Sequence, residues 1–434
     1  MKKFTFKLLM VAIILCLPLL KSVAQAVIPI GSAVELRGIG IDADKPMNGS
    51  YVLTDDIDLS GVNDWVPIGM SGGRTLTYGN ANANSFNFSG TFDGKEHAIK
   101  NLTYSFSGTY SGTSANFAND ELTGGLFARV TGTIRNLELR NLTMSGNCVS
   151  ALAASLATSK IENVSVIGCT ISGTEVGGIS GRTNGTGQVI TNCYVDQTTT
   201  ISGTTKVGGF IGNIGQAIGV IMTNCYMAAT MTSTGSDPVY GVAGNYGTPS
   251  NAGNMGLNAV FVMAQAATGT TLKPFTPDDT KIGAAGSLYF ACSDYFPAET
   301  YPELYPATET DPSFVKTLAE LQTEATYADL GWDFDNIWQI AADKFPIFQW
   351  QKYPGQPTGI SPVQAGLLWN VIGLNNRIEV TVSEPSLLSV YDITGKILFA
   401  AHINSKVSIP ATGGIYILKL RNAGKEAVRK IIMQ

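Results

Sequence analysis

Histidine is nearly missing from this chain of 434 residues, which holds only His97 and His402. With so few, a histidine-built metal site or a Ser-His relay is hard to assemble in one domain. Charge is scarce as well, at 14% Asp, Glu, Lys and Arg, while hydrophobic residues reach 44%, a combination that argues against disorder. Past residue 20 no apolar run is long enough to span a membrane. Five cysteines lie beyond residue 26, Cys148, Cys169, Cys193, Cys225 and Cys292. An odd count gives no full disulfide framework, and with no Cys-x-x-Cys pair a thiolate metal site is not expected. They read as buried thiols acting as small hydrophobes.

The formal charge of −5 is unevenly spread. Residues 27–359 hold 16 basic and 29 acidic residues, whereas residues 360–434 hold eight basic and four acidic ones. An acidic body of this kind disfavours nucleic acid or an anionic membrane as partner. The first 26 residues read as a signal peptide: Lys2 and Lys3, an apolar run from Leu8 to Leu20, and small residues at Ser22-Val23-Ala24 or Ala24-Gln25-Ala26. Export, as a secreted or cell-surface protein, is therefore expected.

What the chain has in abundance is repetition. Ile190-Thr191-Asn192-Cys193-Tyr194 returns as Met222-Thr223-Asn224-Cys225-Tyr226, with weaker copies around Asn101, Asn136 and Asn163. These five asparagines are 35, 27, 29 and 32 residues apart. Glycine-centred phrases interleave with them: Gly124-Gly125-Leu126-Phe127, Val176-Gly177-Gly178-Ile179, Val207-Gly208-Gly209-Phe210 and Val239-Tyr240-Gly241-Val242. A period of this length means stacked coils. Consecutive inward positions at Asn192 and Cys193 break the two-residue strand period, so the chain turns a corner at each asparagine, which tolerates left-handed backbone. Stacked corners predict a ladder of side-chain amides through Asn101, Asn136, Asn163, Asn192 and Asn224. The double glycines mark a second tight corner. Asn258 is expected to begin another coil, and Asp311-Pro312 a helix carrying Phe314, Val315, Leu318 and Leu321 over the open end of the stack.

The run YVLTDDIDLSG, then WVPIG, FSGTFDGKEHAIKNL and GGLFARVTGTIRNLEL, with VGGISG, VGGFIG and the later LGWDFDNIW and FPIFQW, resembles secreted bacterial proteins with GLUG-type repeats. The resemblance covers about residues 30–350 and implies a right-handed parallel β-helix. It is a family of exported surface proteins, some adhesin-like and some non-catalytic parts of larger enzymes, and it supplies no common active site. The tail, with SVYDITGKIL, IPATGGIYILKL and VRKIIMQ, is similar to the type A C-terminal sorting domain of the type IX secretion system of Bacteroidetes. That similarity implies engagement with the type IX machinery. The expected class is all-β, a β-helix followed by a small Ig-like β-sandwich. The expected organisation is signal peptide 1–26, N-terminal cap and first coils 27–98, repeats 99–263, irregular coils and cap with a short helix 264–352, linker 353–362 and sorting domain 363–434.

No catalytic constellation emerges. Asp55, Asp56 and Asp58 belong to the entry strand and read as structural, and His97 as orienting a turn. No acidic residue between 100 and 260 recurs in register, as a carboxylate pair on neighbouring coils would require. Trp332, Trp338 and Trp350 read as core or cap. Thr230, Thr232 and Thr234 form a Thr-x-Thr strand that no neighbouring coil repeats cleanly. Insertions on a solenoid are where binding is sought, which singles out Tyr104, Phe106, Tyr110 and Phe117, and Tyr295, Tyr301 and Tyr305. On these grounds the expectation is a non-catalytic adhesin or binding scaffold, contacting glycans or a surface protein through those loops, with no cofactor or metal. A carbohydrate-active enzyme (polysaccharide lyase or glycoside hydrolase) on the same fold is the alternative, and a structural stalk a further one.

Overall fold

A computed structural model describes residues 26–69, 87–106, 124–215, 219–246, 255–277, 279, 282, 288–305, 314–353, 369–374, 376–422 and 425–433. They divide into two compact units, with the boundary at Gln349.

The first unit is a parallel β-helix. Each coil lays one strand in each of three sheets, as Lys160–Ile167, Thr170–Val176 and Ser180–Thr183 do. The following coil repeats them as Val189–Thr191 with Tyr194–Val195, then Thr200–Gly203, then Ile211–Ile214. The resulting sheets have thirteen, six and four strands. Every pairing in them is parallel, as when Lys160 lies over Thr133 and Thr200 over Thr170. In-register stacking makes the core a set of columns, such as Ile134, Ile161, Ile190, Met222 and Leu257, all fully buried.

The corners follow from residue chemistry. Asn136, Asn163, Asn192 and Asn224 have φ between 51° and 53°, the left-handed region that Asn enters more cheaply than most residues. There the long-sheet strand bends. The next rung of this column is Ala259 at φ 54°, because Thr223 pairs with Asn258; the corner expected at Asn258 is one residue further on. At the double-glycine corner the six-stranded and four-stranded sheets fold back on each other. A Cβ on Gly212 would lie 2.6 Å from the Gly181 carbonyl oxygen and 2.6 Å from the Val176 nitrogen, so no other residue fits.

The outer face of the six-stranded sheet corrects the reading of the threonine triplet. Thr103, Thr143, Thr170, Thr200 and Thr230 stand in one column, and Ser105, Ser145, Ser172, Ser202 and Thr232 in the next. The first two positions of the triplet thus recur on five coils, with serine standing in for threonine at the second.

After the coils the chain folds back along the outside of the long sheet. Residues 306–313, where a helix was expected to begin, lie outside the described residues. Val315–Lys316 is a strand paired with Leu288–Cys292, not helix. Helix starts only at Leu318–Leu321, where Thr317 and Glu320 form a capping box, and a second short helix spans Glu324–Ala328. Tyr327, Trp332, Trp338 and Phe348 then pack on Phe261, Tyr194 and Tyr226, whose hydroxyl donates to the Pro346 carbonyl at 2.7 Å. The aromatic-rich segment covers a side wall of the stack.

The second unit is a two-sheet β-sandwich. Trp369–Leu374, Arg377–Val382 and Lys406–Pro410 form one antiparallel sheet. Ser386–Asp392, Ile397–Ile403, Gly414–Asn422 and Lys425–Met433 form the other. Ile378 and Val380 of the first share a buried core with Leu388, Val390 and Leu418 of the second.

Candidate functional site

The amide columns are the first place where sequence-marked residues meet. The Asn163 amide donates to the Asn136 side-chain oxygen at 2.8 Å, and Asn192 donates to that of Asn163 at 3.0 Å. Asn136 donates to Asp93 at 3.0 Å, which starts this column, while Asn224 turns to the Gly331 carbonyl at 3.4 Å. Asn101 is not a member. It belongs to a neighbouring corner, where it donates to Asp58 and Asn141 stacks above it. The reason is register: Lys100 pairs with Arg140, one corner further along the coil than Asn136. Burial raises the Asp93 carboxyl, but the Asn136 amide, the Lys95 backbone N–H and the Arg135 guanidinium outweigh it and hold Asp93 below the usual range. On the preceding coil Asp58 has the matching role, accepting from the Asn101 amide and the Ser60 backbone N–H, while Asp56 beside it accepts from the Ala98 backbone with His97 Nδ1 3.3 Å away. These carboxylates cap columns.

A second polar cluster was not anticipated. Glu175 and Arg182 flank the double glycine and meet across it, with Arg182 Nη2 2.7 Å from Glu175 Oε2. Lys206 Nζ lies 2.5 Å from the other oxygen, and the Asn213 amide donates to Glu175 at 3.2 Å. Burial pushes the Glu175 carboxyl up, yet Arg182 and Lys206 together pull it below its ordinary value. Glu175 and Arg182 are seven residues apart, and only the fold-back at the corner brings them together.

The loop candidates separate into three groups. Tyr110 and Phe117 lie outside the described residues. Tyr104 is an interior rung over Met144, and burial pushes its phenol up to about 12. Phe106 is half-buried and continues the strand, its N–H donating to Ser145. Tyr305 packs on the core and donates to the Phe296 carbonyl at 2.8 Å. Tyr295 and Tyr301 do line an opening. A cleft of about 470 Å³ is bounded by Ala264, Gln265, Ala266, Leu272, Tyr295 and Tyr301, with Thr270, Thr271, Phe296 and Thr300 completing it. Tyr301 donates to the Leu272 carbonyl at 2.5 Å, which fixes one wall. Burial raises both phenols, so they stay protonated donors.

One side of this cleft is the last strand of the six-stranded sheet, Gln265–Ala266. Its lining holds backbone groups, hydroxyls and apolar surface but no Asp, Glu, Lys or Arg. Such a lining offers hydrogen-bonding and apolar groups without formal charge.

Residues 93–168 match the family described as the M26 IgA1-specific metallo-endopeptidase N-terminal region. That span runs from the aspartate at the foot of the amide column through the next three long-sheet strands, Ala98–Lys100, Thr133–Arg140 and Lys160–Ile167. Halomucin of Haloquadratum walsbyi (strain DSM 16790 / HBSQ001) is 29% identical over 158 residues, 36% of this chain and 2% of halomucin, so the chain spans a small fraction of that relative. The crystal structure of a "putative immunoglobulin A1 protease" from Bacteroides ovatus aligns over 75% of this chain and 92% of its own, at a TM-score of 0.46 and 20% identity. The family match overturns the expectation of a non-catalytic adhesin. Residues 93–168 are similar to the N-terminal region of a protease, and with that the expectation that the chain is not an enzyme also falls.

The metal of a metallo-endopeptidase finds no fitting set of side chains among the described residues. Neither His97 nor His402 sits in a His-Glu-x-x-His phrase. Among the described residues no three His, Cys, Asp or Glu side chains gather in a way that would hold an ion.

Proposed function

We propose that the chain is a protease-related β-helix that engages a protein substrate for cleavage by a metallo-endopeptidase. The observation that carries this reading is the match of residues 93–168 to the N-terminal region of such enzymes. It fits the absence of a fitting metal site, since the reading assigns the shaft to holding substrate rather than to polarising the scissile bond. It also fits the uncharged cleft beside Tyr295 and Tyr301, which suits polypeptide backbone. Export belongs to the same reading. Its supports are the signal-like first 26 residues, the GLUG-like and sorting-domain-like phrases, and the finding that no helix among the described residues is long and apolar enough to cross a membrane.

The test is genetic and biochemical. Deleting the coding sequence from the producing cell is expected to slow cleavage of protein substrates by the secreted fraction, and the activity lost should be the chelator-sensitive share. Adding back the purified full chain should restore it. Unchanged cleavage in the deletion strain would sink the reading.

A further inference from the structure

We infer that the cleft beside Gln265–Ala266 receives an extended polypeptide segment, which adds to the six-stranded sheet as one more strand. This deepens the substrate-engaging reading and rests on it for the choice of polypeptide over other chains.

Three observations carry the inference. The first is the direction of the backbone groups. Gln265 N–H donates to the Ala229 carbonyl at 3.1 Å, and Ala267 N–H donates to Met231 at 2.9 Å. Amide groups alternate sides along a strand, so the N–H and C=O of Ala266 point the other way, into the cleft. Among the described residues no strand pairs with that side. An open edge of this kind is a template for another extended backbone.

The second observation is an interior column that stops short. Met144, Ile171, Ile201 and Met231 are stacked and fully buried, and Ala266 continues the column. Yet Ala266 is exposed, and among the described residues no strand is laid on this rung. A strand laid on this edge at ~4.8 Å would seat one side chain over Ala266, between Leu272 and Phe296, with its two neighbours pointing outward. The third is the lack of charge in the lining, which selects a neutral segment. The ligand is therefore an extended peptide with an apolar residue at the central position and uncharged residues on either side.

The test uses the full-length chain and four probes: a fluorescent hexapeptide of alternating threonine and valine, the same peptide N-methylated along one edge or along the other, and maltohexaose. Saturable binding of the unmethylated peptide is expected. Methylation along the pairing edge should weaken it at least tenfold, whereas methylation along the opposite edge should not. Ala266→Pro removes the outward N–H and leaves both donors to the preceding coil in place, and should weaken binding by a similar factor. Circular dichroism establishes that this variant is folded; the methylated peptides make the same test on the unaltered chain. No binding, equal binding of the peptides methylated on either edge, or displacement by maltohexaose would each overturn the inference. Binding that leaves cleavage unaffected would instead count against the proposed function alone, so the two failures are separable.

Discussion

An asparagine in this repeat combines two properties: it accepts left-handed backbone and it links its coil to the next. Asn163 shows both, at φ 53° with an amide bonded to the coils on either side. The contributions are separable by substitution. Asn163→Gly keeps the corner and loses the amide, so a cost of about 1–2 kcal/mol is expected from two hydrogen bonds. Asn163→Ala also strains the backbone, adding about 1–2 kcal/mol. Urea denaturation of the two variants, in that order of stability, checks the division. Glu175 is the other decisive residue. Replacing it with alanine leaves the buried Arg182 without its carboxylate, and a loss of about 3–5 kcal/mol is expected. The amide column from Asn136 onward was legible in the sequence because its spacing is regular and its residue type constant. Asn101 was misplaced because spacing alone does not say which corner of the coil an asparagine occupies. Glu175 was missed because the double glycine announces a corner without saying that the side chains at 175 and 182 meet across it.

At the scale of elements, the double-glycine corner and the aromatic wall make opposite demands. The corner needs atoms removed. A Cβ on Gly181 would lie 2.6 Å from the Val149 nitrogen and 2.9 Å from the Cys148 carbonyl carbon, so Gly181→Ala is expected to cost about 1–3 kcal/mol or more, read as a lowered melting temperature. The wall needs bulk. Trp338 is fully buried between Trp332, Phe348 and the two stacked tyrosines of the repeat. Trp338→Ala should cost about 3–5 kcal/mol, with limited proteolysis cutting first within residues 317–349 while the coils resist. The double-glycine corners were read directly from the sequence even though one coil has Ser150-Ala151 there, whereas Gly181 and Gly212, on the strands that follow, were not marked by it. The aromatic segment was recognised as core or cap, but its placement on a side wall depends on Tyr194 and Tyr226 facing outward, and strand parity near a bend is ambiguous. The threonine face was missed for a related reason. Its period drifts from coil to coil, and serine replaces threonine in the second column.

For the molecule as a whole, each coil touches only its neighbours, so stability is a sum over rungs. Removing residues 160–188, one complete turn because Val189 stands over Lys160, should give a chain that still folds. Its urea unfolding slope should fall in proportion to the surface lost. Acid should act along the whole stack. Asp93 and Glu175 are both held below their ordinary values of 3.8 and 4.5. Carboxylates lowered in the folded state contribute stability above the unfolded value and lose it as pH falls through the folded one. The urea midpoint should therefore be flat above about pH 5 and drop below about pH 4, and the drop should be shallower in an Asp93→Asn, Glu175→Gln double variant.

The parallel pairing of the coils also gives the molecule a mechanical direction. The hydrogen bonds between coils run along the stacking axis, so a pull from one end loads only the rungs of the terminal coil before the next is disturbed. Such a body peels turn by turn and re-winds the same way, with each turn already laid serving as the template for its successor. For a chain that has to be threaded unfolded and then take shape outside, winding can begin on the first turn to emerge without waiting for the last.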